Sequence, residues 1–172
     1  MGLHRDPAHF PFSPWVSELR RRLWNQICHL DALAISSYGA TSCLPATTDT
    51  RPPHNANDRD WHASRFAKPS SIPTETAGFK DMTFVVIQRE ISDTVRALSS
   101  LESKDFDGKE KLLDEIESNL TRTYFSSVDT SDASQRITSA SAGIRLSSLR
   151  LAVRYRQTET GKLELPSPER QQ

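Results

Sequence analysis

Residues 82–101 read MTFVVIQREISDTVRALSSL, and this stretch decides the fold class. Its opening TFVVI alone suits a strand, because β-branched side chains pack well on a pleated surface. The pattern beyond it does not. Phe84, Ile87, Ile91, Val95, Leu98 and Leu101 step by three or four residues throughout. That spacing stacks them on one face of a helix, so the sequence predicts a helix over 82–101.

Working outward, the same period recurs on both sides. Upstream, Ser13 followed by Pro14 is a helix start. The serine can accept from an orphan amide, and proline at the first helical position loses no bonded donor. Val16, Leu19, Leu23, Ile27, Leu30 and Ala34 then repeat at helical spacing, widened by Trp15 and Trp24. A helix is expected to about Ser37, stopped by Gly39. Downstream, DFDG at 105–108 reads as a turn. KEKLLDEIESNLTRTYF follows, with Leu113, Ile116, Leu120 and Tyr124 on one face. A last helix is expected after DTSDAS, carried by Ile137, Ala140, Ile144, Leu151 and Tyr155 and interrupted by Ser147 and Ser148. The polar run from Gln157 reads as a loose tail.

Residues 39–78 have no period and hold Pro45, Pro52, Pro53, Pro69 and Pro73. Proline removes backbone donors and biases its predecessor to extended geometry. So long an irregular segment is a lid, an interface or a wrap across helices. Within it, DTRPPHNANDRDW (49–61) is the most composed part. Asn55, Asn57 and Asp58 can cap turns with their own side chains, and Trp61 can anchor the wrap in the core.

Composition sets limits. The 172 residues suit one domain. Leu, Ile, Val and Phe supply only 37 of them, just above the roughly 20% below which highly charged chains stay disordered. The chain is foldable but under-filled, as a domain lacking part of its core would be. With 22 basic and 22 acidic residues it carries no net charge, which weighs against autonomous duplex binding. Cys28 and Cys43 are the two cysteines. They cannot make a four-thiolate site and read as reduced thiols. No stretch approaches the roughly 20 apolar residues of a membrane span.

Candidate chemistry is sparse. In a helix, Arg20, Arg21 and Arg22 fan over roughly 200°, so they cannot all face one partner. They read as solvated or internally paired, with Glu18 and Arg22 a mild surface pair. Asp31 borders the apolar stripe and would need a cation if buried, Arg145 or Arg150 being the expected partner. His4, His9 and His29 belong to no metal motif. His54 and His62 share the irregular loop with Asp58 and Asp60 between them; a metal site there, or an enzyme built around His54, Asp58 and His62, is the weakest alternative. No nucleophile elbow, phosphate-binding loop or dinucleotide fingerprint occurs. No catalytic, cofactor-binding or metal residue is assigned, and no cofactor is expected.

Taken together, GLHRD (2–6), ELRRRLWNQICHLD (18–31), DTRPPHNANDRDW (49–61), PTETAGFKDMTFVVIQREI (73–91), KLLDEIESNLTRTYF (111–125) and AGIRLSSLRLAVRY (142–155) resemble consecutive blocks of the fungal-specific transcription factor domain. This is the middle homology region of binuclear zinc-cluster, six-cysteine activators. RRRLW and GFKDMTF weigh most. Asn25 departs from the family pattern, where a second tryptophan is common. His54 and Ala56 stand where larger apolar residues are usual, and Gly143, Ser147 and Ser148 are more polar than the family's last helix.

The resemblance implies an all-α fold: a partial helical regulatory domain over 1–156, with four main helices and a long proline-rich crossing, then a polar tail over 157–172. It implies a nuclear transcription regulator, controlling a metabolic or secondary-metabolite gene cluster, whose partners are transcription machinery or related factors. Zinc and DNA contact would belong to a module outside this domain. The alternatives are a stand-alone interaction module that pairs with and damps full-length relatives, or a truncated product without function.

Overall fold

A computed structural model of the chain describes residues 2–61, 72–73, 78–102 and 104–163, with the backbone alone described at 127 and 159–163. Four long helices carry the architecture: α1 (Pro14–Tyr38), α2 (Thr83–Ser100), α3 (Phe106–Thr123) and α4 (Ala133–Leu163). Short 3-10 turns stand at Pro7–His9 and Phe125–Ser127. No strand occurs among the described residues, so the fold is all-α.

Each helix begins and ends where its sequence can satisfy the orphan backbone groups. The Ser13 hydroxyl accepts from the Val16 amide at 3.3 Å, with Pro14 behind it. Gly39 takes a left-handed φ of 63° and closes α1 by donating to the Ala34 and Ile35 carbonyls, a conformation that costs glycine little. Asp105 caps α3 by accepting from the Gly108 amide at 3.0 Å. Helix α3 thus starts at Phe106, inside the stretch that reads as a turn. At α4, Asp132 accepts from the Ser134 and Gln135 amides. Helix α4 continues through 157–163, which the sequence assigns to the tail; residues 164–172 lie outside the described residues.

Helix α2 is the hub, packed against α1, α3 and α4. Ile87 and Ile91 from α2, Leu120 from α3, and Ala142 and Leu146 from α4 form the core cluster, with Ile116, Tyr124, Phe125 and Leu149 against it. The stripes expected on α2 and α3 are therefore the packed ones: Ile87, Ile91, Val95, Leu113 and Leu120 are all buried. The strand alternative for TFVVI loses because the helical period continues over the rest of α2. Phe84, at its first turn, is exposed.

On α1 and α4 the expected stripe points the wrong way. Val16, Leu19, Leu23, Leu30 and Leu33 are 36–57% exposed, while Glu18, Arg21, Trp24, Asn25, Cys28 and Ala32 are buried. The buried set lies on the side of the helix turned away from the leucines, given 100° per residue. Cys28 and Ala32 explain the choice in part. Their small side chains allow α1 to lie close on α2, and Glu18 and Arg21 meet partners that only this face can reach. On α4, Ile137, Ile144, Leu151 and Tyr155 are 65–69% exposed, whereas Thr138, Ala142, Leu146 and Val153 turn inward. Both terminal helices thus present an uncovered apolar stripe.

Candidate functional site

The proline-rich crossing lies along α1 and the start of α2. Its described part, 39–57, is irregular and ends in a helical turn at 58–61. What fastens it is a set of acidic side chains, and these are the residues that the sequence underrated.

Asp6 is the first. Its carboxylate takes a two-pronged contact from Arg21, Nε at 3.2 Å and a terminal nitrogen at 2.9 Å. It also accepts from the amides of Ala8 and Arg51, each at 2.9 Å, and from the Arg51 guanidinium at 3.3 Å. Asp6 and Arg21 are both buried. Burial pushes the Asp6 carboxyl up, but Arg21, Arg51 and the two amides outweigh it and hold the group well below the usual carboxylate range. Asp49 completes the arrangement, accepting from the Asp6 amide at 2.8 Å and lying 3.0 Å from His9 Nε2. The Thr50 hydroxyl donates to the Leu3 carbonyl at 2.7 Å.

Glu18 is the second anchor. It is fully buried. It accepts from Arg22 Nε at 2.9 Å and from the His54 amide at 3.2 Å, with His54 Nδ1 at 3.6 Å. Burial raises its pKa, and the His54 and Arg22 contacts more than reverse the shift. Arg22 also reaches Asp58 at 2.8 Å. From there the network enters α2. The Asp58 amide donates to the Asp81 carboxylate at 2.9 Å, the Asp81 amide donates to Asn57 Oδ1 at 3.2 Å, and the Thr83 hydroxyl donates to Asn55 Oδ1 at 2.9 Å. Trp61 is buried between Trp15 and His54, with ring centroids at 5.7 and 5.8 Å. A cleft of about 490 Å³ opens beside the network, walled by Arg51, Pro52, Pro53, His54, Val86 and Tyr124.

The three arginines fan apart as the helical geometry requires. Arg20 stacks over Phe12 at 4.8 Å, Arg21 enters the Asp6 pair, and Arg22 bridges Glu18 and Asp58 while lying 5.6 Å from the Trp15 ring. All three are engaged by their own chain. The Asp31 expectation fails. Asp31 accepts from the Ser42 hydroxyl at 2.8 Å and the Cys43 amide at 2.9 Å, tying down the chain as it leaves α1. Arg145 instead contacts Gln88 and His29, and Arg150 spans Glu110, Asp114 and Glu117 on α3. The reason is register: Asp31 sits off the packed face, beside the loop that follows Gly39.

Of the loop trio, His54 faces Glu18 and Asp58 faces Arg22, while His62 lies outside the described residues. Among the described residues, no group of three or more His, Cys, Asp or Glu side chains is placed to hold a metal ion. No described helix is long and apolar enough to cross a membrane.

The four N-terminal sequence blocks thus converge on a set of ion pairs and caps with Asp6, Glu18, Arg21, Thr50 and Thr83 buried and the other polar side chains nearer the surface: Asp6 from GLHRD, Glu18, Arg21 and Arg22 from α1, residues 49–58 from the crossing, and Asp81 and Thr83 from GFKDMT. This set fixes a loop to two helices. Comparison with known proteins finds relatives named as transcription factors rather than enzymes. An aurofusarin cluster transcription factor, aurR2 of Gibberella zeae, is 32% identical over 164 residues, covering 89% of this chain and 24% of the relative. Transcription factor lepE of Aspergillus flavus is 39% identical over 79 residues, 45% of this chain and 10% of the relative. The Zn(2)-C6 fungal-type transcription factor pigI of Monascus ruber is 37% identical over 76 residues, 43% of this chain and 9% of the relative. The relatives of this chain are fungal transcription factors of the zinc-cluster kind. The chain spans between about a tenth and a quarter of the length of these curated relatives. No family model matches, and no solved structure matches.

Proposed function

We propose that this chain is a regulatory segment of the middle-homology type from fungal zinc-cluster transcription regulators, acting in the nucleus through protein contact and without chemistry of its own. The observation that carries the reading is the alignment running along 89% of the chain to a named cluster regulator, together with the convergence of the four blocks on one set of ion pairs and caps. Residues shared between distant blocks because they fold onto each other are scaffold residues, and a scaffold of this kind presents surfaces. Control of a secondary-metabolite gene cluster is the role that the relatives' names support, several of which specify such clusters. DNA and zinc would be handled by a module outside residues 1–156.

The test is a tethering assay. The chain is fused to a heterologous DNA-binding domain in a fungal reporter strain. A change in reporter output that Asp6→Ala abolishes is expected. A folded, nuclear fusion that leaves the reporter unchanged would count against the reading. Separately, the purified chain is expected to carry no zinc by elemental analysis and to show no salt-sensitive duplex binding; stoichiometric zinc or submicromolar binding would overturn that part.

A second reading is favoured by the uncovered stripes on α1 and α4. Exposed apolar faces of this extent mark interaction sites. In that reading the chain pairs with full-length relatives and damps them. Co-purification with such a relative from the host supports it.

A further inference from the structure

Where the last turns of α1 and α2 meet the start of α3 and the second half of α4, the structure leaves a cavity of about 110 Å³. All four helices wall it. Ile35 comes from α1, Leu98 from α2, Phe106 from α3, and Leu149 and Val153 from α4. Two hydroxyls also reach the wall, but each is turned back on its own helix. Ser36 donates to the Leu33 carbonyl at 3.2 Å, and Ser99 donates to the Arg96 carbonyl at 2.8 Å. The charged side chains on the wall are Lys109 and Arg156, both cationic, and among the described residues no carboxylate lines the cavity.

Lys109 is only 8% exposed, and lysine is seldom buried so far. Its ammonium donates to the Glu102 carbonyl at 2.6 Å and stands 5.4 Å from the Phe106 ring. The carbonyl contact ties α3 to the end of α2, and it takes one of the three donors an ammonium carries. Lys109 also lies in the first turn of α3, the end of a helix that carries partial positive charge. Arg156 is exposed, so it lines the cavity on its solvent side. An apolar chamber thus ends in positive charge.

We infer that the cavity binds a small monocarboxylic acid, its apolar body seated among the four helices and its carboxylate held by Lys109 and Arg156. Size comes first. An apolar cavity of about 150 Å³ takes up benzene, so this one suits a body of about five or six carbons. Chemistry then selects the head group. A sugar or nucleoside would bury hydroxyls against Ile35, Leu98 and Val153, which is costly without partners. An amine would meet two like charges. A carboxylate can join the contacts that the two cations already make, because an ammonium has three donors and a guanidinium five. The ligand therefore shares these cations with their present neighbours. This inference stands on the cavity alone and does not depend on the transcriptional reading.

Sodium hexanoate is the probe, titrated into the full chain at neutral pH and constant ionic strength and followed by proton–nitrogen correlation spectra. Saturable binding is expected, with a Kd of about 0.1–1 mM for so small a ligand. The amides of Leu98, Phe106, Lys109 and Val153 should shift together, and the melting temperature should rise with ligand concentration. Hexylamine and hexanol keep the body and change the head, and each should bind at least roughly tenfold more weakly, the share of one charge-assisted hydrogen bond. Arg156→Gln, at an exposed position, should lose a similar factor with the far-UV circular dichroism unchanged. Lys109→Met keeps the apolar stem and should lose as much; should that variant fail to fold, Arg156→Gln and the three head groups still decide. Four results would each overturn the inference: no saturable shift up to about 20 mM hexanoate, well above that Kd range; hexylamine or hexanol binding as well as hexanoate; shifts centred away from the cavity; or full affinity in Arg156→Gln.

Discussion

Replacing Asp6 by alanine tests the lattice at its tightest point. The substitution strands Arg21, whose side chain is only 7% exposed and whose guanidinium donates twice to Asp6. It also deprives the Ala8 and Arg51 amides of their acceptor. Removing one member of a buried, hydrogen-bonded pair costs about 3–5 kcal/mol, chiefly because the other charge is left without compensation. The Arg51 guanidinium is 65% exposed and adds little. We expect a loss of about 4 kcal/mol, within that range. At roughly 2–4 °C per kcal/mol for a chain of this size, the melting temperature should fall by about 8–16 °C. Urea unfolding followed by circular dichroism measures the loss directly. The double variant Asp6→Ala, Arg21→Met removes both charges and should recover most of it, since an apolar replacement of a buried pair is often nearly neutral. The pH dependence gives an independent check. Asp6 has a depressed pKa in the folded state, so the unfolded state binds more protons as pH drops below about 4. The stabilisation is present above that value and is lost as pH falls towards the folded pKa. The Asp6→Ala variant should lose this component of the acid slope. A single-variant loss under about 1 kcal/mol, against the range above, would refute the assignment of Asp6 and Arg21 as an anchor.

Leu120→Ala, in the core cluster, should cost about 2–5 kcal/mol, whereas Leu23→Ala, half exposed on α1, should cost under about 1 kcal/mol in the monomer; chemical denaturation compares them. Gly39→Ala forces a side chain into a left-handed conformation, and although open space surrounds that position, about 1 kcal/mol should be lost in the same assay. His29 has a lowered pKa, from burial first and the neighbouring Arg145 second. Its unfolded form therefore takes up protons first as pH falls through about 6.5. Stability should decline in that window, and less so in His29→Gln, as thermal melts across the pH series will show.

The helices are legible because their periods and caps sit in plain sequence: Ser13-Pro14 and Gly39 bound α1, and the spacing from Ile87 to Val95 is helical whatever the β-branched residues prefer. What misleads is the premise that an apolar stripe faces the core. On α1 the leucines of the most regular stripe point outward, while Glu18, Arg21 and Asn25 face in. No rule of local spacing finds that, since their partners Asp6, His54 and the backbone of Val85 lie 15 to 60 residues away. The same holds for Asp31, whose position beside the stripe suggests a distant arginine and whose actual partners are Ser42 and Cys43. The crossing's role as a wrap follows from its prolines and capping residues. That its acids and amides bind specific residues of α1 and α2 emerges only in the folded chain.

Hydrogen exchange resolved to single amides bears most directly on whether the motif blocks form one locked, inert scaffold. The amides of Asp6, Arg51, His54 and Asp58 each donate to a carboxylate rather than to a backbone carbonyl. They should exchange as slowly as amides in the middle of α2, and speed up together in Asp6→Ala. Exchange at the rate of an open loop, with α2 still protected, would show that the crossing is not bound to the helices and would contradict the account.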